Sequence, residues 1–141
     1  HDRGIISKEA SFILEVESVA GSGGFYEISF SLLNPGLDEL EPEADIIQEN
    51  VWTHVAATYD GTTMTIYVNG AYFDSKTSNH TSIGNMATPC TIGYSFYNPL
   101  ETRYFDGELD EVAIYSRALS ATEISDIYDD GLSGLGYCTG T

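Results

Sequence analysis

Two dipeptides limit the possible folds of this chain more than any other feature. Asp60-Gly61 and Asn69-Gly70 punctuate the stretch VWTHVAATYDGTTMTIYVNGAYF, residues 51–73. Both supply the positive φ angles that tight hairpin turns require. Between them run β-branched and aromatic residues in short apolar–polar alternation, the signature of half-buried strands. Residues 52–75 are therefore predicted to form a three-stranded antiparallel meander.

The same period of two recurs on either side. SFILEVESV alternates Phe12, Leu14 and Val16 against Glu15 and Glu17. GGFYEISFSLL sets Ile28, Phe30 and Leu32 against Glu27, Ser29 and Ser31. CTIGYSF and the acidic run GELDEVAIY, residues 107–115, read as further strands. Runs this short, with turns at this spacing, predict an all-β fold: a two-sheet antiparallel sandwich. One helix interrupts the pattern. Ser120 and Glu123 form a capping box ahead of Ile124, Ile127 and Tyr128, which with Leu119 line one face, and Gly131 is placed to end the helix. The segment from Asn34 to Asn50 holds two prolines and six acids without a period and is expected to be a loop, with a short strand or turn at Asp45 to Gln48. With 141 residues the chain fits one domain, residues 1–130, followed by a glycine-rich tail or linker, residues 131–141.

Charge narrows the partners. Five Lys and Arg oppose 22 Asp and Glu, a formal net charge of −17. Such a surface repels phosphate backbones and anionic lipid, so nucleic acid is excluded and divalent cations are favoured. No 18-residue apolar run is present, so no membrane span is expected. Cys90 and Cys138 fit no metal-ligand spacing; they form either one disulfide, which requires an oxidising compartment, or two free thiols. Asn79, in Asn-His-Thr, matches the N-glycosylation acceptor pattern.

Three blocks together carry a family resemblance. WTHVAATYDGTTMTIYVNG from Trp52, TIGYS from Thr91, and FDGELDEVAIYSRALSATEI from Phe105 resemble the laminin-G-like, concanavalin A-type jelly-roll domains. RGIISKEASF is similar to a strand in the middle of such domains. The resemblance covers Ile5 to Tyr128. It implies a jelly-roll sandwich from secreted or surface proteins that bind glycans, matrix or other proteins, often around one calcium ion. It also implies strands upstream of Ile5–Ser7 that are not found here. Either another chain or a preceding segment supplies them by strand addition, or the acidic loop or the tail folds back into the gap.

The acidic run then has three readings. Glucanases of this fold carry Glu-x-Asp-x-Glu on a strand, and a glycosidase needs two carboxylates flanking the bond. Glu108 and Asp110 match the first two places, but the third is Val112, which moves no proton, and Glu111 points to the opposite face of a strand. No nucleophile–base ordering occurs elsewhere, so the chain is expected not to be an enzyme. For calcium, Asp106, Asp110 and the carbonyls around Gly107 supply hard oxygen ligands, and the resemblance implies Asp110 as a ligand. The third reading is a solvated strand acid. Asp38 to Asp45 is a weaker cation candidate. Tyr67, Tyr72 and Tyr97 are candidate stacking faces for a sugar. Trp52 is expected in the core or on a sheet face, and the isolated His54 is no metal ligand.

The expectation is a non-catalytic adhesion or glycan- and matrix-binding module, calcium-stabilised and located outside the cell or on its surface. The alternatives are a structural subunit of a surface assembly built by strand exchange between copies, and an accessory domain of a secreted glycoside hydrolase.

Overall fold

The structure, a computed structural model, describes residues 2–18, 21–98 and 101–135. Its largest sheet holds β1 (Arg3–Lys8), β2 (Phe12–Ser18), β3 (Phe25–Leu32), β4 (Asp38–Leu40), β5 (Ile47–Gln48) and β9 (Cys90–Ile92). The strand order is β4-β3-β2-β1-β9, with β5 also pairing to β3. A second sheet is the predicted meander, β6 (Val55–Tyr59), β7 (Thr63–Val68) and β8 (Ala71–Thr77). A hairpin of β10 (Tyr94–Asn98) and β11 (Glu101–Tyr104) forms a third, two-stranded unit. All pairings are antiparallel.

Alternation decides which side of each sheet faces the core. Leu14 and Val16 of β2, Ile28, Phe30 and Leu32 of β3, and Met64, Ile66 and Val68 of β7 form one buried cluster between the two larger sheets. Fully burying each such side chain contributes roughly 1.5–3 kcal/mol. The turns behave as their residues require: Gly61, Asn69 and Gly70 all have positive φ. The helix α1 (Ala121–Leu132) opens with the expected capping box at Ser120 and Glu123 and buries Ile124. It runs through Gly131 and stops at Ser133, with Gly134 in the left-handed region, so its end lies three residues later than expected. The acidic segment before β6 contains two short strands, β4 and β5, the second inside the expected Asp45–Gln48 window.

Two expectations are overturned. Residues 107–115 form no strand. Val112, Ala113, Ile114 and Tyr115 form an apolar run suited to a strand, but a strand exists only through its ladder, and no described strand pairs with this segment. Glu111 also has φ of 52°, which breaks the extended conformation. Trp52 is 67% exposed rather than packed, and it lies three residues ahead of β6, outside the ladder.

Candidate functional site

Two surfaces carry unspent chemistry. The first is the face of the large sheet opposite the core. The register places Gly4, Glu15 and Ser29 in one cross-strand row and Glu17 opposite Glu27 in the next. Glu39 lies opposite Ser31, whose hydroxyl donates to Glu39 Oε1 at 3.0 Å. The β10–β11 hairpin closes one end of this face. Ser95 Oγ donates to Glu15 Oε2 at 3.1 Å, and Arg103 Nη1 lies 3.2 Å from Glu15 Oε1. Arg103 also pairs with Asp2 at 2.8 Å. A Cβ on Gly4 would run into Ser95 and Tyr94, so glycine is what lets the hairpin lie directly on β1.

Electrostatics on this face are strained. Burial pushes the Glu15 carboxyl up, against the pull of Arg103 and Ser95. Burial, with the Asp2 and Glu39 charges, also raises Glu17. Glu41 is pushed up to about 7, first by desolvation and then by repulsion from Glu17, Glu39 and Glu27. Like charges directly across strands destabilise a sheet, so Glu17 opposite Glu27 is a local cost with no packing gain. In the sequence Glu15, Glu17 and Glu27 read only as the polar side of strands. Their period marked the face, but nothing in it showed that the acidic loop would bring Glu39 and Glu41 to the same place.

The second surface is a groove of about 1230 Å³ between β6, the irregular segment 106–119, α1 and the core face of the large sheet. Trp52, Val112, Ile114 and Tyr115 are exposed along it. Asp106, Gly107 and Asp110 lie in this segment and are exposed. Asp110 Oδ1 accepts the Glu111 N–H at 2.8 Å, a local turn contact. Gly107 lets the Phe105 ring approach, since a Cβ there would come 2.8 Å from it. Among the described residues no three His, Cys, Asp or Glu side chains are grouped to hold a metal ion.

The aromatic candidates separate. Tyr67 is buried and meets Tyr72 edge-on at 6.4 Å between centroids, so only Tyr72, 60% exposed, offers an open ring. The Tyr97 side chain lies outside the described residues. His54 is half-buried against Tyr128, and burial lowers its pKa. Asn79 is exposed beside Asp38, which accepts its N–H at 2.8 Å. Asp38 itself, expected on a solvated loop, is buried and paired with Lys76 at 2.6 Å. Cys90 is exposed on β9, and Cys138 lies outside the described residues.

A two-sheet sandwich with these motif blocks matches one family model over residues 1–125, that of the concanavalin A-like lectin/glucanases superfamily in its laminin-G-like branch. The chain belongs to that family. No curated protein matches this laminin-G-like domain. Among solved structures it is similar to the crystal structure of an S-layer domain-containing protein, residues 221–444, from Clostridium thermocellum ATCC 27405. The identity is 28% with a TM-score of 0.50. The match covers 78% of this chain and 59% of that structure, so the laminin-G-like domain spans about three-fifths of its neighbour.

Proposed function

We propose that this domain is a non-catalytic binding module of the extracellular or cell-surface space, and that it recognises glycan hydroxyls on the acidic face of the large sheet. The observation that carries the reading is the convergence of Glu17, Glu27 and Glu39 on paired strands, with Glu41 on the loop just after β4, beside the half-buried Arg103. Ionised carboxylates accept hydrogen bonds from sugar hydroxyls, and the guanidinium donates in a fixed fork. The superfamily to which the chain belongs, and the S-layer domain-containing neighbour, support a surface location.

The absence of catalysis is part of the proposal. Glu108 and Asp110 sit on an exposed irregular segment, where no rigid element holds a second carboxylate at a fixed separation across a bond. Calcium is proposed as a weak accessory ion of residues 106–111. Asp106, Asp110 and neighbouring carbonyls do not form a closed cage, but extracellular sites of 10⁻⁴–10⁻³ M need fewer charged ligands.

A glycan array on the purified chain, with Glu17→Gln and Arg103→Met as comparison variants, tests the reading. Binding of one glycan class that both variants weaken at least tenfold supports it. Turnover of laminarin or a related glucan, abolished by Glu41→Gln, replaces binding by hydrolysis as the function of this face.

A further inference from the structure

A histidine and a tyrosine join the helix to the small sheet. The backbone of His54 is locked to the turn between β7 and β8. Its N–H donates to Asn69 Oδ1 at 3.0 Å, and its carbonyl accepts the Asn69 N–H at 2.8 Å. The imidazole then meets the Tyr128 ring of α1, with centroids 5.7 Å apart and planes tilted by 45°. Tyr128 in turn lies directly on Gly70 of the same turn, where a Cβ would come 2.8 Å from the ring. The helix is therefore docked on a fixed notch, and one wall of that notch is titratable.

One atom in this contact is unsatisfied. His54 Nδ1 is buried and has no hydrogen-bond partner among the described residues. A neutral imidazole carries one N–H, so only one of its nitrogens must donate. In the imidazolium both nitrogens donate, and the ring carries a charge. That charge would be partly desolvated here, with its Nδ1 proton aimed at no acceptor. Burial alone lowers the His54 pKa, and no neighbouring charge contributes. The Asn69-Gly70 turn is uncharged. On α1, Glu123 is engaged by Arg117, while Asp126, Asp129 and Asp130 are exposed. Across the groove Asp106, Glu108, Asp110 and Glu111 are exposed as well. No carboxylate is thus placed to hold the imidazolium where it stands.

We infer that protonation of His54 releases α1 from the β7–β8 turn, so that the helix is an acid-sensitive latch on the sandwich. Only in the undocked state does the imidazolium reach water, so proton uptake and docking exclude one another. By linkage the docking equilibrium weakens by up to about tenfold for each pH unit below the ordinary histidine value of 6.5. The sign is opposite to that of the acidic sheet face, whose Glu41 takes up a proton on folding. Release uncovers Ile124, which is 1% exposed when docked, and the acid form thereby presents an apolar stripe that the neutral form hides. The latch involves no residue of the acidic sheet face, so failure of glycan binding leaves the inference intact.

The experiment is a pH titration of the 141-residue chain by two-dimensional NMR, with amide exchange corrected for the intrinsic effect of pH. Between pH 7 and pH 5, protection at Ile124, Ile127 and Tyr128 is expected to fall at least about threefold, while that at Ile28 and Leu32 of β3 does not fall. The His54 ring and the α1 amides should shift with one common midpoint, below 6.5. His54→Gln stays polar but takes up no proton, so it should abolish the pH dependence of α1 whatever it does to docking at pH 7. Glu41 titrates in the same window, and that variant separates its effect from the effect of His54. Titration of His54 at its ordinary value overturns the inference, as does α1 protection that follows β3 at every pH. An unchanged pH dependence in His54→Gln overturns it in favour of the helix carboxylates. If His54→Gln does not fold, the common midpoint in the wild-type chain decides alone, and separate midpoints overturn the inference.

Discussion

The Asp38 carboxylate of β4 meets the Lys76 ammonium of β8 at 2.6 Å, tying the edge of the large sheet to the edge of the small one. Asp38 Oδ2 also accepts the Ser78 hydroxyl at 2.6 Å and the Asn79 N–H at 2.8 Å. Lys76 further donates to the Glu39 carbonyl at 2.9 Å. Burial alone raises the Asp38 pKa, but the Lys76, Ser78 and Asn79 donors outweigh it and hold it at about 2. A carboxylate with a depressed folded pKa contributes stability above its ordinary value of 3.8, and that contribution is lost as pH falls through about 2.

Asp38→Ala is therefore expected to destabilise the domain by roughly 1–3 kcal/mol, because the Ser78 and Asn79 donors lose their buried acceptor while the 40% exposed Lys76 ammonium regains water. Chemical denaturation at pH 7 measures this. The difference between wild type and variant should shrink between pH 4 and pH 2; a constant difference would show that lost packing, and not the charge, sets the cost.

The acidic sheet face has the opposite pH dependence. Glu41 is raised from 4.5 to about 7, so between those values the folded state binds more protons than the unfolded one. Stability is then fully present below pH 4.5 and lost as pH rises through about 7. Glu15 and Glu17, also raised, act in the same direction. The melting temperature is expected to be higher at pH 5 than at pH 8. Glu17→Gln should lower the Glu41 pKa followed by NMR and flatten the profile.

Gly4 admits no side chain. Gly4→Ala would drive a Cβ into the backbone of Ser95, and either the hairpin lifts or the strand shifts. The expected cost is on the order of 1–3 kcal/mol, as for other overpacking changes. It should be accompanied by faster exchange at Ser95 and by loss of the Glu15–Arg103 contact. A variant as stable as wild type would mean that the hairpin is not held on β1.

Calcium is expected to raise the melting temperature in the millimolar range and not in the micromolar range. A ligand that binds only the folded state adds about 2.7 kcal/mol at a hundredfold excess over its dissociation constant. Scans in 10 mM calcium and in chelator, for wild type and Asp110→Asn, decide. Equal melting temperatures for wild type in both leave Asp110 with only its local contact to the Glu111 N–H.

Features set by neighbours in the chain were legible in advance. The Asp60-Gly61 and Asn69-Gly70 turns, the meander between and beside them, and the Ser120–Glu123 capping box depend on φ preference and hydrogen bonds a few residues apart. The alternation of Leu14 and Val16 with Glu15 and Glu17 fixed which side of β2 faces the main core, since successive strand side chains point oppositely; the burial of Ile13 and Glu15 on the other side was not legible. The family was legible for the same reason: its motif blocks are turn and strand-end residues whose roles are local.

Tertiary structure decided everything that depends on a distant partner. The pattern of Val112, Ala113, Ile114 and Tyr115 is that of a strand, yet backbone groups pair only with a neighbouring ladder, and this segment has none among the described residues. Trp52 is apolar enough for a core but stands ahead of β6 and is 67% exposed. Asp38 reads as one acid among six in a loop, and only the approach of β8 turns it into a buried ion pair. Glu39 and Glu41 join Glu17 and Glu27 because β4 docks on β3, a pairing between segments that local sequence does not announce. Periodicity reports which way a side chain points; what it meets there is set by packing, and both candidate surfaces of this domain are made by packing.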